Sequence, residues 1–292
     1  MWLASLLILA CAGEVPPAEP EDTALPEEVP VLSFAVIGDT HIVSGGQHLD
    51  ALRARVERIG ALDERPALVV VVGDVAWGPG YAAAAEALGA LEVPWLPILG
   101  DNEIQAGEEA VFQERWAPAF SDLSAQVDGM YAAPIPATPP DGAAQPWLDN
   151  RTFTLGGVRF VTLDWSVRIQ GTLLSETAEL HDWEGGTLPW LEGVLEDSPA
   201  DEPVVMLSHH PMHLGSFDLA ELETLETRLA PYGDRLVADL AGHYHLDYEE
   251  HRPLWDLFIT DAPWNGDTGL RLVHLGRRGE AWTVRTELLQ IE

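Results

Sequence analysis

Five short groups of residues in this sequence could hold metal ions between them. They are Gly38-Asp39-Thr40-His41, Gly73-Asp74, Gly100-Asp101-Asn102-Glu103, Ser208-His209-His210-Pro211 and Gly242-His243-Tyr244-His245. On an extended segment successive side chains alternate, so the two ends of an Asp-x-His point to the same side and can grip one ion. Asp39 and His41 have that spacing, and His243 and His245 repeat it. The glycines ahead of the acids let the backbone turn sharply and approach an ion closely. Imidazole nitrogens mixed with carboxylate oxygens suit zinc, manganese or iron better than calcium or magnesium. Taken singly, each group has a plainer reading: a Gly-Asp is usually a turn, and a His-His-Pro can be a surface loop. Five in one chain, each closing an apolar run, are hard to assign to chance.

Those apolar runs are the elements that must position the ligands. Residues 31–37, 67–72, 94–99, 158–163, 203–207 and 236–240 read as buried strands. Between the first two, Leu49, Leu52, Val56 and Ile59 recur at helical spacing among charged residues, which predicts a helix over 48–62. Strand, helix, strand is a βαβ unit with a right-handed crossover. Further helices are expected over 81–91, 108–116, 188–195 and 219–229, a loop over 132–147, and a hairpin over 270–289 around Gly276-Arg277-Arg278-Gly279. The expected fold is therefore α/β, a layered single domain with central β-sheets flanked by helices. In such sheets ligands collect beyond the carboxyl ends of the strands, so the five groups should converge in one crevice.

Composition narrows the partners. Fifteen basic residues, all arginine, face 48 acidic ones for a net charge of −33. Such a field repels polyanions, so no nucleic-acid partner is expected. At the N-terminus an apolar run over 2–10 is about as long as a signal-peptide core and shorter than the roughly 20 residues a bilayer span needs. It ends in Ile8-Leu9-Ala10-Cys11, which resembles a bacterial lipobox and contains the chain's only cysteine. Residues 12–30 hold five prolines and six acids with no base, as an extended tether would. The expected organisation is a leader over 1–11, a tether over 12–30 and a folded domain over 31–292. The protein would be exported and touch a membrane only through a lipid on Cys11.

The five groups resemble, in order, the motifs of the calcineurin-like metallophosphoesterase superfamily: Asp-x-His, Gly-Asp, Gly-Asn-His-Glu/Asp, His and Gly-His-x-His. The likeness runs from about Val31 to the C-terminus and includes the helix start Leu188-Pro189-Trp190-Leu191. It implies the layered metallophosphoesterase fold and two metal ions, with Mn, Zn or Fe as candidates. One ion would be held by Asp39, His41, Asp74 and His245. The other would share Asp74 as a bridge and add the third-motif ligand, His209 and His243. The third motif departs from the family pattern. Aligned without a gap, Asp101 is the ligand and Asn102 replaces the histidine that assists the leaving group; shifted by one, Asn102 is the ligand and Glu103 takes that place. Trp77 stands where purple acid phosphatases carry an iron-binding tyrosine, and the arginine of the Ser/Thr phosphatase motif is absent.

The resemblance implies hydrolysis of a phosphate mono- or diester by a hydroxide bridging two metals, with a small phosphate ester as substrate. Asp74, Asn102, Glu103 and His210 are the candidate catalytic residues. The alternative is a protein that retains metal and binds phosphate esters but turns them over weakly, because its third motif is altered.

Overall fold

The computed structural model describes residues 27–133, 148–168 and 177–291. The leader, Cys11 and most of the tether lie outside the described residues, as does most of the loop expected over 132–147.

Short runs of Val, Ile and Leu closed by glycine become strands buried on both faces. β1 (Glu28–Ile37), β2 (Val69–Val71) and β3 (Trp95–Pro97) are parallel neighbours. The C-terminal hairpin of β11 (Leu270–Arg278) and β12 (Ala281–Leu288) extends them antiparallel, giving the order β12-β11-β1-β2-β3. A second sheet has seven strands in the order β4-β5-β6-β7-β8-β10-β9. Here β6 (Val158–Leu163), β7 (Val204–Ser208), β8 (Leu236–Ala241) and β10 (Asp256–Ile259) are parallel. β4 (Asp128–Ala132), β5 (Arg151–Leu155) and β9 (Tyr248–His251) are antiparallel at its margins.

The two sheets pack face to face, with Phe34 of β1 edge-on to Phe160 of β6 at 5.2 Å between ring centroids. Helices α1 (Gln47–Gly60) and α2 (Gly80–Leu88) are the crossovers of the first sheet, the short α3 (Asp101–Gln105) and α4 (Glu109–Ser124) connect β3 to β4 of the second, and apolar side chains of all four join the core shared by both sheets. Helices α5 (Thr187–Asp197) and α6 (Leu219–Leu229) cover the second sheet through a separate core around Leu188, Leu191, Met206 and Leu225. The result is a four-layer α/β/β/α sandwich.

Two boundaries differ from the sequence expectation. β1 starts at Glu28, inside the segment expected as tether, because Glu28 pairs with Arg278 in register and forms an ion pair with its guanidinium at 3.1 Å. α4 runs on through Pro118 to Ser124 rather than stopping near Trp116. Its apolar face continues as Phe112, Trp116, Phe120 and Leu123, and that burial outweighs the single hydrogen bond a proline removes.

Candidate metal centre

All five groups lie at the carboxyl ends of parallel strands: Asp39 after β1, Asp74 after β2, Asp101 after β3, His209 after β7 and His243 after β8. They converge as two sets of ligand atoms, each set within 4.8 Å. One set is Asp39, His41, Asp74 and His245; the other is Asp101, His209 and His243.

The backbone is strained where the sets form. Among the described non-glycine residues only five have positive φ, and four of them are His41, Asp74, His243 and His245, at 52°, 48°, 70° and 50°. Left-handed backbone is uncommon for such residues and persists only where the surroundings impose it. It also corrects the picture of plain extended Asp-x-His segments: the second ligand of each pair is turned in by a left-handed residue. Two glycines are fixed by crowding. A Cβ on Gly73 (φ 91°) would lie 2.2 Å from His209 Nδ1, and one on Gly242 would lie 2.4 Å from Asp39 Oδ2.

Asp74 sits between the sets. Its Oδ2 is 3.0 Å from His41 Nε2, and its Oδ1 is 3.5 Å from His209 Nε2. Burial opposes a charge on His41, yet the approach of Asp74 raises its pKa. His209 Nδ1 donates to Val72 O at 2.9 Å, since a carbonyl can only accept, and this aims Nε2 at Asp101 Oδ1, 2.7 Å away. Asp39 receives the backbone N–H of His243 on both oxygens at 3.0 Å, which fixes that carboxylate.

The electrostatics call for cations. Burial opposes a charge on His209, yet Asp74, Asp101 and Asp39 around it hold its pKa well above the ordinary value. Burial also opposes ionisation of Asp101, but hydrogen bonds from His209 and His243 overrule it and hold its pKa below the usual range. Asp39 is pushed up to about 6 by burial, against the pull of His209. His245 is pushed down to about 4 by burial and by His41, which leaves it neutral and ready to ligate. Were Asp74 shared, each set would offer two carboxylates and two imidazoles, a donor set that fits transition metals.

The third motif resolves into three different placements. Asp101 joins the second ligand set. The Asn102 side chain instead donates to Asp74 Oδ2 and its backbone N–H to Asp74 Oδ1. Glu103 lies apart from both sets: it is fully buried and accepts the backbone N–H groups of Val75 (2.7 Å), Ala76 (3.0 Å) and Gly100 (3.1 Å). Burial, with Asp74 nearby, raises its pKa to about 8. Its place is that of a tie between the second- and third-motif loops, not of a proton donor facing the cleft. His210 is in neither set. Its Nδ1 lies 3.2 Å from Ser166 Oγ, its buried Nε2 has no partner among the described residues, and burial beside His243 and His209 keeps it neutral.

Several supporting residues gave no sequence signal. Asp239 within β8 accepts from Ser208 Oγ at 3.0 Å and Met212 N–H at 2.8 Å, pinning the loop that carries His209 and His210. Ser166 comes from the loop after β6, and Trp264 donates from Nε1 to Asp39 O at 3.1 Å. Each is a lone residue with no motif around it; only proximity to a strand end could have flagged Asp239 and Ser166.

Comparison with known proteins adds three findings. The calcineurin-like phosphoesterase family profile matches residues 32–247. A probable cyclic nucleotide phosphodiesterase of Rhodopseudomonas palustris is 28% identical over an alignment of 193 residues, with 62% of this chain and 57% of that protein covered. The chain thus spans a little over half the length of the curated relative it matches. The fold is similar to that of a dimetal phosphatase from Danio rerio, with a TM-score of 0.56, 17% identity, and 90% of this chain and 100% of that one covered.

Proposed function

The chain belongs to the calcineurin-like phosphoesterase family, and from that premise we propose that it hydrolyses phosphate esters at a dinuclear metal centre. The observation that carries the reading is the pair of ligand sets on either side of Asp74, built with strained backbone at four of their residues. Asp39, His41, Asp74 and His245 would hold one ion, and Asp74, Asp101, His209 and His243 the other. Two ions there would supply hydroxide from water near neutral pH and neutralise the phosphoryl oxygens. One water is consumed: its oxygen bonds to phosphorus, one ester P–O bond breaks, and the departing oxygen leaves as the alcohol after taking a proton.

The chain's own residues set the geometry. Asn102 and the His243 backbone hold Asp74 and Asp39 in place, and Glu103 ties the loops that present Asp74 and Asp101. Asn102 is no acid, so esters with good leaving groups should react best. The Rhodopseudomonas relative's description makes a phosphodiester one candidate substrate. Metal analysis with hydrolysis assays on p-nitrophenyl phosphate and its bis-ester under added Mn²⁺ or Zn²⁺ tests the reading. Two bound ions without turnover of any ester would favour the metal-retaining binding protein instead, a reading supported by Asn102 in place of the family histidine. We also propose export with a lipid on Cys11. Cys11→Ser should then release the domain from membranes, and unchanged membrane partition with no lipid mass shift would reject it.

A further inference from the structure

Two features of the cleft are not used by the hydrolytic reading. The first is a wall of rings on one side of it. Trp77 meets His41 edge-on at 5.4 Å, and Trp264 lies 5.5 Å from His41 and 5.0 Å from His245. His48 stacks on Trp264 at 4.9 Å with planes 17° apart, and the Trp264 hydrogen bond to Asp39 O fixes the ring. Trp77, Trp264 and His48 all remain partly exposed. Exposed apolar side chains flank the ligand residues along the chain as well: Val43, Leu214, Leu246 and Tyr248 are four of the seven exposed large hydrophobics among the described residues, and each lies within five positions of a ligand residue.

The second feature is the balance of charge around the ligands. All fifteen basic residues are arginines within the described residues, and none of them hydrogen-bonds or ion-pairs with Asp39, Asp74 or Asp101. Arg168 donates to the Ser166 carbonyl at 2.6 Å, and it is engaged by Asp164 and Glu109. The Arg168 guanidinium is thus already committed to carboxylates, in a chain whose net charge is −33. Each extra negative charge on a ligand meets opposition that only bound metal offsets. A diester carries one charge on phosphorus and a monoester carries two near neutral pH. Aromatic faces, for their part, favour a flat apolar group over an alkyl one.

Building on the phosphoesterase reading, we propose that the site takes phosphodiester monoanions with an aromatic or planar apolar ester group seated on Trp77 and Trp264, and discriminates against phosphomonoester dianions. Hydrolysis then stops at the monoester: one of two ester bonds is cut, and the dianionic product is released from a cleft that does not retain it.

Equilibrium binding tests this without relying on turnover. Diphenyl phosphate, dimethyl phosphate and phenyl phosphate are titrated calorimetrically into the metal-loaded protein at pH 8 and low salt. Diphenyl phosphate should bind up to about tenfold more tightly than either of the others, and at least about threefold, the size expected of an aromatic contact. Added salt should narrow its lead over phenyl phosphate by screening the acidic field. Trp77→Ala with unchanged metal content should shrink the diphenyl-to-dimethyl ratio to below about threefold. Bis(p-nitrophenyl) phosphate should release one nitrophenolate per molecule. Equal affinity for diphenyl and dimethyl phosphate, or tighter binding of phenyl phosphate, in the wild-type protein would overturn the proposal whether or not the variant folds. Absence of all hydrolysis with this ranking intact would sink the phosphoesterase reading and leave the ligand preference standing.

Discussion

Asn102 donates twice to Asp74, from its backbone N–H to Oδ1 at 2.9 Å and from its side-chain amide to Oδ2. The neighbouring Asp101 points to His209 and His243 instead. Adjacent residues of the third motif thus take different tasks: one orients the carboxylate between the ligand sets, and the other belongs to a set. Asp101→Ala should lose the second ion, and Asn102→Ala should keep two ions per chain with weaker affinity. Atomic absorption on the dialysed variants checks this, and the opposite pattern would restore Asn102 as the ligand.

Asp74 should be the most damaging single ligand to remove, because its two oxygens face His41 and His209 separately. Asp74→Ala should lose both ions and all turnover. Two ions retained with measurable hydrolysis would rule out a shared carboxylate.

Glu103 should matter for stability before chemistry. Its carboxylate satisfies three buried backbone N–H groups, and each one left unsatisfied costs about 1–3 kcal/mol. Glu103→Ala should therefore destabilise by several kcal/mol in urea unfolding and loosen both loops. Glu103→Gln, which keeps one acceptor oxygen, should cost less. Were Glu103 a proton donor to substrate, the Gln variant would instead keep its stability and lose turnover of alkyl esters selectively.

Much of this centre was legible in the sequence because the ligands close apolar runs, and buried parallel strands bring run ends together. Asp39, His41, Asp74, Asp101, His209, His243 and His245 all converge on that basis. The sheet margins were less legible. β4, β5 and β9 are short and rich in polar or charged residues, so neither length nor alternation marks them, and the inner strand β10 is apolar but only four residues long. Side-chain roles that depend on distant backbone could not be read at all. Glu103 looks like an acid until its three N–H donors are located, and Trp264 has no local pattern to tie it to Asp39, 225 positions away.

His181 should give the fold a dependence on pH in the acid range. It is buried, has φ of 48°, and places Nδ1 3.2 Å from Asp164 O and 3.3 Å from Thr187 Oγ1. Burial, with Arg168 nearby, pushes its pKa down to about 4. Between about 6.5 and that value the unfolded chain holds a proton on this group that the folded chain refuses. Stability is therefore complete above that window and falls as pH falls through it, by roughly 3 kcal/mol at most. Asn tolerates left-handed backbone, so His181→Asn should fold with lower stability at pH 7 and a shallower loss between pH 7 and 4.5. Urea unfolding of both proteins gives the difference, in which contributions of the metal ligands cancel. Parallel pH profiles would show that the loss comes from other groups.

Rebuilding the family pattern in the third motif joins several of these relationships in one experiment. Asp101→Asn keeps an oxygen where Asp101 Oδ1 now lies 2.7 Å from His209 Nε2, so a ligand position survives with one charge fewer. Asn102→His places an imidazole at a partly exposed position next to Asp74, where it can reach a leaving oxygen. It also removes the amide bond to Asp74, so metal content must be measured first. With two ions retained, the double variant should gain turnover on alkyl phosphate esters, because a poor leaving group needs the proton an amide cannot give. General acid catalysis typically contributes about 10²- to 10⁴-fold. p-Nitrophenyl esters should gain little, since their leaving group departs as the anion. An equal gain on both classes would point to altered metal affinity rather than proton donation. No gain at full metal occupancy would mean that position 102 does not face the leaving group, and His210, whose buried Nε2 has no partner among the described residues, would be the residue to replace next.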